Sequence, residues 1–175
     1  MSTSGSGPSP LARLLGSAAL ERLPAGTDYR DASDATVAAI NQAARRDPGR
    51  FFAVLDQEPT LSEQSDVVWA LGFVNSQRAI PVLLTALRSR ESHIRRTAVS
   101  SLAHYRNDTV VDALIAALSD RVPTVRELVI AALGEQGSQR AIPALRAALA
   151  RPASRKSPTT QKLITEALAR LLEPG

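Results

Sequence analysis

The residues of this chain whose chemistry could be put to use are two histidines, one tryptophan and a large set of arginines. His93 and His104 stand eleven residues apart. On one helix that separation is about 16 Å of rise, too far to share a metal ion. A lone histidine at either place reads as a surface or helix-terminal residue. With no cysteine, the chain has no thiolate nucleophile, no sulfur ligand for zinc and no disulfide. It also lacks a Gly-x-Ser-x-Gly elbow, a His-Glu pair and a glycine-rich phosphate loop. No catalytic residue, metal or cofactor follows from these residue types.

What remains suits gripping better than reacting. Trp69, the single tryptophan, is followed four residues later by Phe73, so the two share one face of any helix that carries them. An aromatic anchor that becomes buried on binding contributes about 2 kcal/mol or more. Of 21 basic residues only Lys156 and Lys162 are lysines, and 17 acidic residues leave a net charge of +4 with a pI near 10.3. That balance favours an acidic partner, but nucleic-acid binders gather their charge on one face, so position decides.

The elements that must position these residues come from an internal repeat. Ala79-Ile80-Pro81 recurs as Ala141-Ile142-Pro143 with Val110-Val111-Asp112 midway, a period of 31 that places unit starts at 48, 79, 110 and 141. Leu83, Leu114 and Leu145 align in the first half of the unit; Val68, Val99 and Ile130, then Leu71, Leu102 and Leu133, then Gly72, Ala103 and Gly134 align in the second. The three- and four-residue spacings describe two amphipathic helices per unit, with Pro81, Pro123 and Pro143 in first turns. Aromatics make up only 3% of the chain, so the core is aliphatic, and no strand pattern competes.

The expectation is an all-α chain, an α-solenoid of about five antiparallel helix pairs. It comprises a disordered tail 1–10, a degenerate first pair 11–47, and repeats 48–78, 79–109, 110–140 and 141–175. In the first pair Asp34 to Arg46 is the second helix and Leu11 to Leu23 the first, with Pro24 to Asp31 irregular between them. The last unit carries about four extra residues in Arg151 to Pro158, a mobile loop, after which Leu168 falls in the Leu133 column. Neither a signal peptide nor a membrane-spanning run is expected, and the default compartment is the cytoplasm.

Second helices line the concave side of a solenoid, so the columns that vary there mark a binding face. They read Asp34, Ser65, Arg96, Glu127, Lys162; Ala38, Trp69, Ser100, Ala131, Glu166; and Gln42, Phe73, His104, Glu135, Arg170. The partner-binding candidates are therefore Trp69, Phe73, Arg96, Ser100, His104, Tyr105, Glu127 and Glu135. Two readings of Trp69 and Phe73 are open: exposed anchors, or packing residues that fill a gap against the degenerate first pair. The alternating charges do not make the continuous basic groove that a phosphate backbone needs, so nucleic acid is disfavoured. The basic clusters lie elsewhere, at Arg45, Arg46 and Arg50 and at Arg151, Arg155 and Lys156, as solvated charge or as docking points for an acidic protein.

Ala70-Leu71-Gly72, a short polar turn and Ala79-Ile80-Pro81-x-Leu83, repeated at Ala132 to Leu145, resemble the short HEAT-like repeats of the phycobilisome (phycobilin) lyase class over roughly residues 48–175. The resemblance implies a HEAT-repeat solenoid. It also implies inter-repeat structural roles for Arg126, reaching the preceding Asp120, and for Arg95 in the matching position of the unit before, where Ser89 departs from the pattern by standing where that aspartate would be. The class includes proteins that attach bilins to phycobiliproteins or detach them. The first functional expectation is a non-catalytic protein-binding scaffold, its partner another protein such as a companion HEAT-repeat subunit or a phycobiliprotein. The alternative is a bilin lyase-like or chromophore-detaching factor that receives an open-chain tetrapyrrole around Trp69, Phe73, Arg96, His104 and Tyr105, with Arg96 facing a propionate. Nucleic-acid binding, resting on pI alone, comes third.

Overall fold

In the computed structural model, residues 29–57 and 65–173 are described, and they form helices and turns with no strand among them. In chain order the helices are α1 (Tyr29–Arg46), α2 (Pro48–Gln57), α3 (Ser65–Leu71), α4 (Ala79–Ala86), α5 (Ser92–Leu102), α6 (Asp108–Ala117), α7 (Pro123–Gln136), α8 (Ile142–Ala150), α9 (Pro152–Arg155) and α10 (Pro158–Leu172). A 3₁₀ turn, Gln139–Ala141, leads into α8. The tail 1–10 and the expected helix Leu11 to Leu23 lie outside the described residues. Among the described residues, no helix is long and apolar enough to cross a membrane.

The helix starts follow local chemistry. Pro123 and Pro158 open α7 and α10, and Pro143 is in the first turn of α8, where a missing N–H leaves nothing unpaired. Asn107 caps α6 by accepting the Thr109 N–H, and Ser157 caps α10 by accepting that of Thr160. The polar turns between units need left-handed backbone once each at Asn75 (φ 52°) and Gly137 (φ 69°), residue types that tolerate it.

Two differences from expectation have simple causes. Helix α1 begins at Tyr29, within the stretch expected to be irregular, because no glycine or proline interrupts the chain between Gly26 and Pro48. The extra residues of the last unit form the helical turn α9 instead of a mobile loop. Arg155 folds back onto the Ala150 carbonyl, Arg151 reaches the Leu118 carbonyl, and Ser154 is buried.

The second helices α1, α3, α5, α7 and α10 each stack on the next and form one layer. Helices α4, α6 and α8 form the other, each held mainly by its own partner α5, α7 or α10, while α2 packs chiefly on α1. Contact along the α1-to-α10 layer is far more extensive than along the other, so its helix axes lie closer and it is the inner side of the curve. A glycine makes part of this approach possible: a Cβ at Gly72 would stand 3.0 Å from Ser101 Cα, and one at Gly134 3.1 Å from Ala167 Cα. Ser101 and Ala167 occupy the same repeat position once the four-residue insertion is counted. Between the layers lies a continuous core in which Leu83, Leu114, Leu145, Val68, Val99, Leu71, Leu102 and Leu133 are fully buried.

Candidate functional site: an aromatic patch on the inner layer

Helix α3 ends in Val67-Val68-Trp69-Ala70-Leu71, and the pattern of its neighbours fixes which way the tryptophan faces. Val67, Val68, Ala70 and Leu71 are fully buried, which leaves Trp69 half-buried at the edge of the inner layer. Phe73, in the turn that follows, is 41% exposed, one of two large hydrophobic residues this open among the described residues. The Trp69 and Phe73 rings meet edge-on with centroids 5.0 Å apart and planes at 70°. The next unit adds His104, exposed in the turn after α5, with its ring 5.0 Å from that of Phe73 and tilted by 42°. Three rings from two units thus form one partly open surface.

Polar residues extend this patch along the layer. Arg96 and Ser100 on α5 and His104 in the turn after it follow one another at four-residue intervals, Arg96 exposed and Ser100 half-buried. On α7, Glu127 accepts the Thr160 hydroxyl at 3.1 Å and Glu135 is exposed. Beyond them Lys162 and Glu166 form a loose pair at 3.8 Å on α10. Together these make a mixed-charge surface around an aromatic centre, with donors and acceptors but no assembled nucleophile and base.

Tyr105 does not belong to this surface. It is 4% exposed, because one residue beyond His104 the chain has turned into the interior. Its hydroxyl donates to the Leu71 carbonyl and lies against the backbone of Asn75 and Ser76. Burial pushes its pKa above the ordinary phenol value. Gln136, 31 residues on, does the same for the next unit: its Nε2 donates to the carbonyls of Leu102 (3.2 Å), Ala103 (3.1 Å) and Tyr105 (3.0 Å).

The arginine between repeats also differs from what the resemblance implies. Arg126 reaches Asp120 only through the backbone carbonyl, at 2.8 Å. The Asp120 carboxylate is taken by Arg95 of the preceding unit in a two-bond fork, Nε to Oδ2 at 2.7 Å and Nη2 to Oδ1 at 2.9 Å. Arg95 further donates to the carbonyls of Ser89 and Arg90, so the serine at position 89 offers its backbone where an aspartate was expected. Asp120 Oδ1 also accepts the Val122 N–H at 2.8 Å. The hydrogen bonds from Arg95 hold the Asp120 carboxyl below its ordinary pKa against the opposing effect of burial. Arg95 and Asp120 thus join two units, and Arg126 ties α7 to the turn before it.

The family model for HEAT repeats matches residues 50–117 and again 93–169. Among solved structures the chain is similar to the crystal structure of an engineered protein, with 17% identity and a TM-score of 0.50 over 93% of this chain and 87% of that one. At that identity the likeness concerns the fold alone. No curated protein matches the chain.

Proposed function

The chain belongs to the HEAT-repeat family, and we propose that it is a non-catalytic scaffold that holds another protein against its inner layer, with Trp69, Phe73 and His104 as the anchor. The observation that carries this reading is the exposed Phe73, clasped between Trp69 and His104 at positions where the other units place small, polar or charged residues. Rings held in place by one another lose little freedom on binding, and mixed charge around them suits the rim of a protein contact better than the uniform field of a polyanion.

The test is capture from native lysate by wild-type protein beside a Trp69→Ala/Phe73→Ala variant of equal helicity and melting temperature. The captured protein is then purified and titrated while the emission of Trp69, the only tryptophan, is followed. Loss of retention in the variant together with a blue shift in wild type is expected. Retention by the variant with unmoved Trp69 emission would overturn the assignment.

A second reading, the bilin lyase-like factor, is supported by Arg96 on α5 lying eight residues before His104 in the turn that follows the helix. There a guanidinium could meet a propionate while the rings stack on the pigment. Titration with an open-chain tetrapyrrole separates the two readings: a visible-band shift that is absent in Trp69→Ala favours pigment, and no shift with wild type removes it.

A further inference from the structure

The opposite, outer layer carries a second surface. Helices α4 and α6 touch little there and leave a furrow of about 490 Å³ lined by Leu84, Leu87, Ala113, Ala116 and Ala117, with Thr109 also in the lining. At the end where both helices finish, the furrow runs into a hollow lined by Arg88, Arg90, Arg95 and Arg121; Arg88 and Asp120 line both spaces.

The charges of this hollow are unbalanced. Asp120 is already committed to Arg95, and Glu91 is the other carboxylate of these two turns. Arg88, Arg90 and Arg121 are exposed and make no ion pair among the described residues. On the other edge of the solenoid, by contrast, Arg140 is shared between Asp108 and Asp112. The carbonyls at the C-terminal ends of α4 and α6 would ordinarily repel an anion. Here the turns that follow add cations to them: Arg95 takes the carbonyls of Ser89 and Arg90, Arg121 also takes that of Arg90, and Arg151 takes that of Leu118 at the end of α6. An apolar trough that opens onto guanidiniums without a carboxylate partner among the described residues matches an apolar side chain followed by carboxylates. The lining holds no aromatic ring on which a base could stack, as a single strand of nucleic acid would require.

We propose that this furrow and its arginine hollow bind a short acidic segment of a partner protein, an apolar side chain lying between α4 and α6 and carboxylates meeting Arg88, Arg90 and Arg121. The site is independent of the aromatic patch on the inner layer.

The probe is a fluorescein-labelled synthetic peptide of roughly ten residues, two leucines followed by a run of glutamates, titrated against the full chain by anisotropy at low and physiological salt. Binding is expected to weaken about tenfold or more in Arg90→Glu/Arg121→Glu and in Ala116→Glu, both exposed changes that leave the melting temperature in place. The Trp69→Ala/Phe73→Ala variant is expected to bind this peptide as wild type does, which separates failure of this site from failure of the inner one. No anisotropy change up to about 1 mM, or binding that survives both surface variants, overturns the proposal. So does tighter binding, by the same arginines, of an oligothymidylate of equal charge or of phosphatidylserine vesicles.

Discussion

Tyr105 and Gln136 stand 31 residues apart and answer one need, a further donor for the carbonyls where an inner-layer helix ends. Tyr105 supplies a phenol to Leu71, and Gln136 spreads one amide over three carbonyls of the unit before its own. Each therefore fastens its own unit to the one before it. Tyr105→Phe keeps the ring and its packing, so the change isolates the hydrogen bond and leaves the Leu71 carbonyl only the long 3.4 Å bond from the Val74 N–H. Urea unfolding is expected to show a loss of about 1–2 kcal/mol with an unchanged m-value. The sequence did carry a signal: Val74, Tyr105, Gln136 and, across the insertion, Leu171 share one column, in which two long side chains end in a donor. A donor at the end of a long side chain reads equally well as pointing into water. Only the position of the preceding helix end tells the two apart, which is why Tyr105 reads as a surface residue beside His104.

At the scale of the helices, the spacing of the inner layer is set where α5 passes Gly72. A methyl group there would meet Ser101 Cα and Cβ at 3.0 Å, backbone and first side-chain atoms with no freedom to rotate away. Gly72→Ala is therefore expected to force α3 and α5 apart and cost about 1–3 kcal/mol, outweighing the few tenths to 1 kcal/mol that alanine gains in backbone entropy. The same displacement would separate Phe73 from His104, so thermal unfolding and Trp69 emission should change together. The repeat made most of this frame legible, because aliphatic columns three and four residues apart recur in every unit and each repetition confirms the register. The inner-face columns were legible for the same reason: Trp69, Phe73, Arg96, Ser100, His104, Glu127 and Glu135 fall on one layer because helical spacing alone puts them there. The Arg95 fork was not legible, since it joins residues 25 apart in neighbouring units, whereas comparing units in register pairs each arginine with the aspartate six residues before it.

For the molecule as a whole, a solenoid holds together through contacts between neighbouring units only, so an interaction that crosses a unit boundary sets how far unfolding at one end spreads to the other. Arg95 and Asp120 are such a link, with side chains only 6% and 11% exposed, between the unit that starts at Ala79 and the one that starts at Val110. Because the folded state lowers the Asp120 pKa, the link contributes fully above the ordinary carboxylate range. Its contribution fades as pH falls from about 4 through the lowered folded value. Asp120→Asn keeps the shape and removes the charge, leaving Arg95 its two carbonyl partners, and is expected to cost about 2–4 kcal/mol at neutral pH. Unlike wild type, the variant should then lose little more stability through this position on acidification. Trp69 reports on the N-terminal units alone, while far-UV circular dichroism reports on every helix. In wild type at pH 7 the two denaturation curves are expected to coincide as one cooperative transition. In Asp120→Asn, and in wild type acidified until Asp120 is protonated, they should separate, with the units on either side of the broken fork unfolding at different urea concentrations. Coincident curves in the variant would mean that the apolar stacking of α5 on α7 couples the units without help from the ion pair.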